Sequence, residues 1–135
     1  KQLLLILVDH AGRYITESGE IRMALQREQG EAVVTVQDTG IGISSEDLPH
    51  IFERFYRADK ARVREAGGAG LGLPIALWIA ERHGGTCHRQ KRIGDGLRRF
   101  SRDQLANRFI VRADIKLEQF TGGRRVLVIP IRSGL

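Results

Sequence analysis

The sequence predicts a single α/β domain, and three observations carry that reading. Leu3, Leu4, Leu7, Val8 and Ala11 recur at the spacing that lays one apolar stripe along a helix. Ile21, Met23 and Leu25 alternate with Arg22 and Ala24, and a β-rich run, Ala32-Val33-Val34-Thr35-Val36, follows a Gln29-Gly30 turn signal. Ile75, Leu77, Trp78, Ile79 and Ala80 then restore helical spacing between Leu73 and His83. At 135 residues the chain has room for one sizeable core and too little for two.

In chain order, the first helix covers Lys1 to Tyr14. It begins without a capping residue, as expected where a fragment boundary cuts into a helix. A Ser18-Gly19 turn leads to the two strands, for which an antiparallel pair is the simplest arrangement. Asp38-Thr39-Gly40-Ile41-Gly42-Ile43 ends the second strand in a glycine-rich loop, and Ser45, followed by Asp47 and Leu48, starts a short helix. Arg57 to Gly70 is charged and then glycine-rich, with no apolar period, which predicts a mobile loop of functional length. Gly84-Gly85 closes the second long helix. Trp78 reads as helix or core packing.

Hydrophobic residues at 41% and charged residues at 28% exclude a disordered or fibrous chain. The apolar run Leu3–Val8 is too short to span a bilayer and lacks the flanks of a signal peptide, so no membrane contact by this chain is expected. The one cysteine, Cys87, excludes an internal disulfide and a cysteine-based zinc site, which fits a reducing compartment. The net charge of +6 is unevenly placed. Residues 1–86 hold 10 Lys/Arg against 12 Asp/Glu, a net of −2, and residues 87–135 hold 12 against 4, a net of +8. The chain therefore divides into an ordinary segment, 1–86, and an atypical basic one, 87–135.

Asp38-Thr39-Gly40-Ile41-Gly42 places a carboxylate at a strand end beside two glycines that let a ligand approach the backbone. Alone, the same pattern is more often a plain turn. Its context is three further segments in order: Asp9-His10-Ala11-Gly12-Arg13-Tyr14 before it, then Ile51-Phe52-Glu53-Arg54-Phe55-Tyr56-Arg57, and last Gly67-Gly68-Ala69-Gly70-Leu71-Gly72-Leu73. Over residues 2–86 this series resembles the N, first glycine, F and second glycine boxes of the sensor histidine kinase catalytic domain.

That resemblance implies a Bergerat-type two-layer α/β sandwich: a mixed sheet with helices on one face, and ATP held between the first helix and a flexible lid. It implies that Asp38 accepts a hydrogen bond from the adenine amine, a sound specificity device because a base lacking the donor leaves the acceptor unpaired. Gly40 and Gly42 would let the backbone pass the base. Gly68, Gly70, Leu71 and Gly72 would offer amides to the phosphates at the start of the following helix. Arg13 stands where the family has a phosphate-facing lysine, keeping the charge and altering its geometry. Phe52, Phe55 and Tyr56 would anchor the lid, and each reads equally as a core aromatic. Lys60, Arg62 and Arg64 in the lid read as a solvated charge run or as phosphate contacts.

Two departures stand out. His10 replaces the family asparagine whose carbonyl oxygen helps to hold Mg²⁺; a neutral imidazole is a poor substitute for a hard oxygen, so magnesium handling is expected to be weakened. After Thr86 the family continues as a Val-x-Val-x-Ser strand and a Gly-x-Gly-Ser turn, whereas this chain has Cys87 to Leu97. Codons available to that segment, read one nucleotide out of register, spell Val-Ile-Ala-Lys-Ser-Glu-Ser-Gly-Thr-Gly-Ser. A frameshift near Thr86 is the resulting expectation. The basic tail is then accidental rather than a nucleic-acid footprint, since it has no interleaved aromatics and no DNA-binding motif. Its apolar runs Phe109–Val111 and Val126–Ile129 would still serve as strands.

The function implied is that of a cytoplasmic ATP-binding domain, working with ATP and Mg²⁺, whose parent kinase transfers the γ-phosphoryl to a histidine outside this chain. His50, His83 and His88 do not lie in the family's acceptor motif. The implied partners are the parent's dimerisation and phosphoacceptor helices and, through the parent, a response regulator. The alternatives are a degenerate, non-catalytic nucleotide-binding module, a gyrase-, Hsp90- or mismatch-repair-type ATPase sharing the Asp38 loop, and a basic nucleic-acid binder. The segment Phe52–Arg57 favours the kinase branch.

Overall fold

A two-residue turn sets the register of the sheet. Gln29 and Gly30 both take positive φ, 48° and 90°, the conformation that matches a tight hairpin to the right-handed twist of its strands. β1 (Glu20–Glu28) and β2 (Glu31–Asp38) pair across it from Glu28↔Glu31 to Ile21↔Asp38. The computed structural model describes residues 1–15, 19–58, 68–90, 108–113, 123 and 125–130.

Helix α1 (Gln2–Arg13) precedes the hairpin. After it come a single 3-10 turn at Leu48–His50, helix α2 (Gly72–Arg82), and strands β3 (Thr86–Gln90), β4 (Arg108–Ala113) and β5 (Arg125–Pro130). The sheet order is β3-β4-β2-β1-β5. As expected, Phe109–Val111 lies in β4 and Val126–Ile129 in β5. The chain also forms a strand directly after Gly85, β3, where the sequence points to a departure, and pairing with β4 holds it.

The α/β sandwich agrees with expectation, and its sheet is antiparallel in all four described pairings rather than mixed. α2 does return the chain to a strand running with β2. β4 lies between that strand, β3, and β2, and pairs antiparallel with both, so no described neighbours run parallel.

Cross-strand partners share a face, so the register sorts the side chains. Ile21, Val36, Cys87, Phe109 and Val111 point to one side and form a core with Leu7 and Ala11 of α1 and Leu73, Ala76 and Ala80 of α2. Both helices lie on that side. α2 ends in a Schellman motif: Gly84 N–H donates to the Glu81 carbonyl and Gly85 N–H to that of Ala80, with Gly84 at φ 67°. Trp78 is not a core residue. It is 54% exposed, with the Arg82 guanidinium 5.3 Å from its ring centroid.

Candidate functional site

A cavity of about 470 Å³ opens between α1 and the start of α2. α1 contributes Ile6, Asp9, His10, Arg13 and, at its end, Tyr14; the loop after β2 contributes Ile41, Gly42, Ile43, Ser44 and Asp47. Ile51 and Tyr56–Ala58 form a third side, and Gly68–Pro74 the fourth. The four sequence boxes therefore surround one space.

The end of β2 is tied to the end of α1. Ile41 N–H donates to the Tyr14 carbonyl at 3.1 Å, and Thr39 N–H to that of Glu20 at 3.2 Å. Asp38 accepts from Gly40 N–H through Oδ1 at 2.8 Å and is 1% exposed. A side chain at Gly40 would fall 2.5 Å from the Tyr14 carbonyl oxygen, so glycine is required where the loop passes α1. Asp38 and Gly40 are absent from the lining. They sit behind it, with Gly42 exposed to the cavity.

Gly68, Gly70, Leu71 and Gly72 all line the cavity where α2 begins. The N-cap, Leu71, has no side-chain acceptor for the first-turn amides. An uncapped helix N-terminus bearing partial positive charge is an anion site when it faces a cavity. Arg13 adds a full charge there: its Nη1 lies 2.8 Å from where a Cβ on Gly68 would stand, and it bridges back to Asp9 at 2.9 Å.

The F segment forms a further wall of the cavity. Tyr56 Oη donates to Asp47 Oδ1 at 2.7 Å and Ser44 Oγ to Asp47 Oδ2 at 2.6 Å. The hydrogen bonds from Ser44 and then Tyr56 hold the Asp47 carboxyl below its ordinary range. Phe52 is half-buried and packs against the core, whereas Phe55, read equally as a core aromatic, is 69% exposed. The segment turns outward at Phe55, whose φ is 65°. Lys60, Arg62 and Arg64 lie outside the described residues.

His10 lines the cavity with its ring 5.0 Å from that of Tyr14 and edge-on to Phe109 at 5.6 Å. Burial, with Arg13 adding to it, pushes the imidazole down to about 4, so it is neutral at neutral pH. Among the described residues no three His, Cys, Asp or Glu side chains gather as a cation site. The cavity's two carboxylates are both engaged, Asp9 by Arg13 and Asp47 by Ser44 and Tyr56. The His10 nitrogen is not the hard oxygen that Mg²⁺ prefers, so Asp9 and Asp47 are the hard side-chain oxygens in the lining.

Asp9 and Tyr14 were visible in the sequence only as part of the first box and Asp47 only as part of the short helix, with no site role for any of them. Asp9 carried a signal, since it stands four residues before Arg13 on the same helix face. Phe109, which meets His10 from a strand ninety-nine positions later, carried none.

A sequence profile described as histidine kinase-, DNA gyrase B- and HSP90-like ATPase matches residues 1–117. The sensor histidine kinase YkoH of Bacillus subtilis is 52% identical over 84 residues, covering 62% of this chain and 18% of that protein. The sensor protein CiaH of Streptococcus pneumoniae is 49% identical over 86 residues, covering 64% and 19%. The chain thus spans about a fifth of the length of these relatives. Among solved structures, the catalytic domain of histidine kinase ThkA superposes with a TM-score of 0.64 at 26% identity, covering 83% of this chain and 63% of that one. The mycobacterial sensor histidine kinase MprB shares the fold, with a TM-score of 0.65 at 24% identity, covering 97% and 71%. No helix among the described residues is long and apolar enough to cross a membrane.

Proposed function

Because the chain belongs to the histidine kinase-, DNA gyrase B- and HSP90-like ATPase family, we propose that it is the ATP-holding part of a sensor histidine kinase, whose whole protein moves the γ-phosphoryl of ATP to a histidine on another segment. The observation that carries this reading is the convergence of Arg13, the Gly68–Gly72 loop and the N-terminus of α2 on one cavity.

Phosphoryl transfer asks a protein mainly for positioning and charge neutralisation. The α2 amides would take the phosphate oxygens, and Arg13 would hold a further oxygen and offset developing charge. Asp38, with acceptor capacity beyond the Gly40 N–H, would take the adenine amine once the base enters past Gly42. The partners in this reading are the parent's dimerisation and phosphoacceptor helices and a response regulator, all in the cytoplasm. Mg²⁺ would arrive with the triphosphate, since His10 supplies no hard oxygen from α1.

One observation favours a second reading, a nucleotide-binding module without transfer: His10 offers α1 a neutral, half-buried nitrogen where the family resemblance implies a hard oxygen. Calorimetric titration of the full chain with ATP, with and without Mg²⁺, followed by addition of a phosphoacceptor domain, tests both. Tightening with Mg²⁺ and labelling of the acceptor histidine support the kinase. Cation-independent binding without labelling supports the module, and a folded chain that binds no ATP sinks the nucleotide reading.

A further inference from the structure

Strand register carries Arg89 into the interior. In β3 it stands opposite Phe109, and Phe109 stands opposite Val36 of β2. Arg89 therefore shares the helix-covered face of the sheet with Val36 and, one alternation along β2, with Asp38. β3 and β2 are two strand spacings apart, about 10 Å, and Asp38 lies two residues beyond Val36, so the backbones of Arg89 and Asp38 are about 12 Å apart, a gap that the two side chains reaching toward each other can largely close. Nε and Nη1 of Arg89 are shut off from solvent, and Asp38 is 1% exposed. Burial pushes the Arg89 pKa down, and the Asp38 carboxylate pushes it back up.

We propose that Arg89, half-buried at the edge of the core, is the counter-charge of Asp38, and that through this pairing β3 sets how selectively the site prefers a base with an exocyclic amine. A carboxylate in a dry site is held as an anion by a nearby cation and by hydrogen-bond donors; Asp38 has one such donor in Gly40 N–H, and loss of the cation favours the neutral acid. As an anion Asp38 offers only acceptors, which suit an amine. Neutralised, it presents an O–H donor, which suits a 6-oxo base. Arg89 touches no base in this scheme and acts as a positioning residue. The selectivity half rests on the nucleotide reading above; the pairing does not.

The test uses the full chain with Arg89→Met, which keeps length without charge, Arg89→Gln, which keeps donors without charge, and Arg89→Lys, which keeps the charge. In a urea-unfolding double-mutant cycle of Arg89→Met with Asp38→Asn, the pairing predicts coupling of about tenfold or more in the folding equilibrium, equivalent to about 1.4 kcal/mol. Additive effects overturn it, and Arg89→Gln takes the place of Arg89→Met in the cycle if the methionine variant does not fold. In titrations with ATP and with inosine triphosphate, the uncharged variants lose tenfold or more of the wild-type preference for ATP, and Arg89→Lys retains most of it. An unchanged preference in a folded uncharged variant overturns the selectivity role. A wild-type chain that binds neither nucleotide overturns the nucleotide reading and the selectivity role together, while the unfolding cycle still decides the pairing.

Discussion

The N–H of Phe55 donates to the carbonyl of Gly70 at 3.0 Å, and both residues take left-handed backbone, at φ 65° and 68°. This bond joins the segment that ends at Ala58 to the glycine loop that begins at Gly68, across fifteen positions of sequence. It brings the two described segments together at one edge of the cavity. A Cβ on Gly70 would lie 2.8 Å from the Tyr56 carbonyl oxygen and 2.9 Å from backbone atoms of Phe55. Gly70→Ala therefore meets both a wrong φ and rigid backbone, and is expected to cost about 2 kcal/mol or more. Urea unfolding reads the loss; a midpoint equal to wild type would contradict the junction.

Arg13 separates binding from folding. Its bridge to Asp9 is exposed, at 39% and 64% for the two side chains, and such pairs contribute about 0–1 kcal/mol. Arg13→Gln is expected to leave the unfolding midpoint nearly unchanged and to weaken ATP about tenfold, with little effect on adenosine. Equal weakening of ATP and adenosine would remove Arg13 from the phosphates.

His10 makes stability depend on acid. Its pKa is about 4 when folded against 6.5 for the free side chain, so between those values the unfolded chain takes up a proton that the folded chain refuses. Stability is fully present above about pH 6.5 and falls as pH drops toward 4, by up to about 3 kcal/mol. Urea midpoints measured from pH 7 to 4.5 should show this decline, and His10→Asn should flatten it. An equal decline in the variant would assign it to other groups.

Cys87 is 5% exposed, and burial pushes its thiol up to about 11. An aromatic disulfide reagent at pH 8 is expected to modify it at least roughly a hundredfold more slowly in the folded chain than in urea, because both access and thiolate are withheld. Fast modification without denaturant would place β3 outside the core.

Much of this fold was legible from local pattern. The Gln29-Gly30 turn, the stripes of α1 and α2 and the Gly84-Gly85 stop each occur where the spacing and turn chemistry predict them. The same patterns are blind to what a face meets. Trp78 falls on a helical apolar period and faces outward beside Arg82, and Phe55 sits in an aromatic segment and turns to solvent because its backbone must reach Gly70. In the cavity, the glycine boxes and Arg13 were readable as a constellation, whereas the position of Asp38 behind the lining was not. Burial of that carboxylate depends on neighbours contributed by several elements.

By itself, then, the sequence determined α1, the β1–β2 hairpin, α2 and the box series, because turn conformation, helix stops and apolar period are set by residues within a few positions of one another. Tertiary structure decided the rest: that β4 enters between β3 and β2, that every described pairing is antiparallel, that Phe109 meets His10, and that Arg89 shares a face with Asp38. These relations depend on the register between strands far apart in the chain. A shift of one residue would turn each of those side chains to the opposite face.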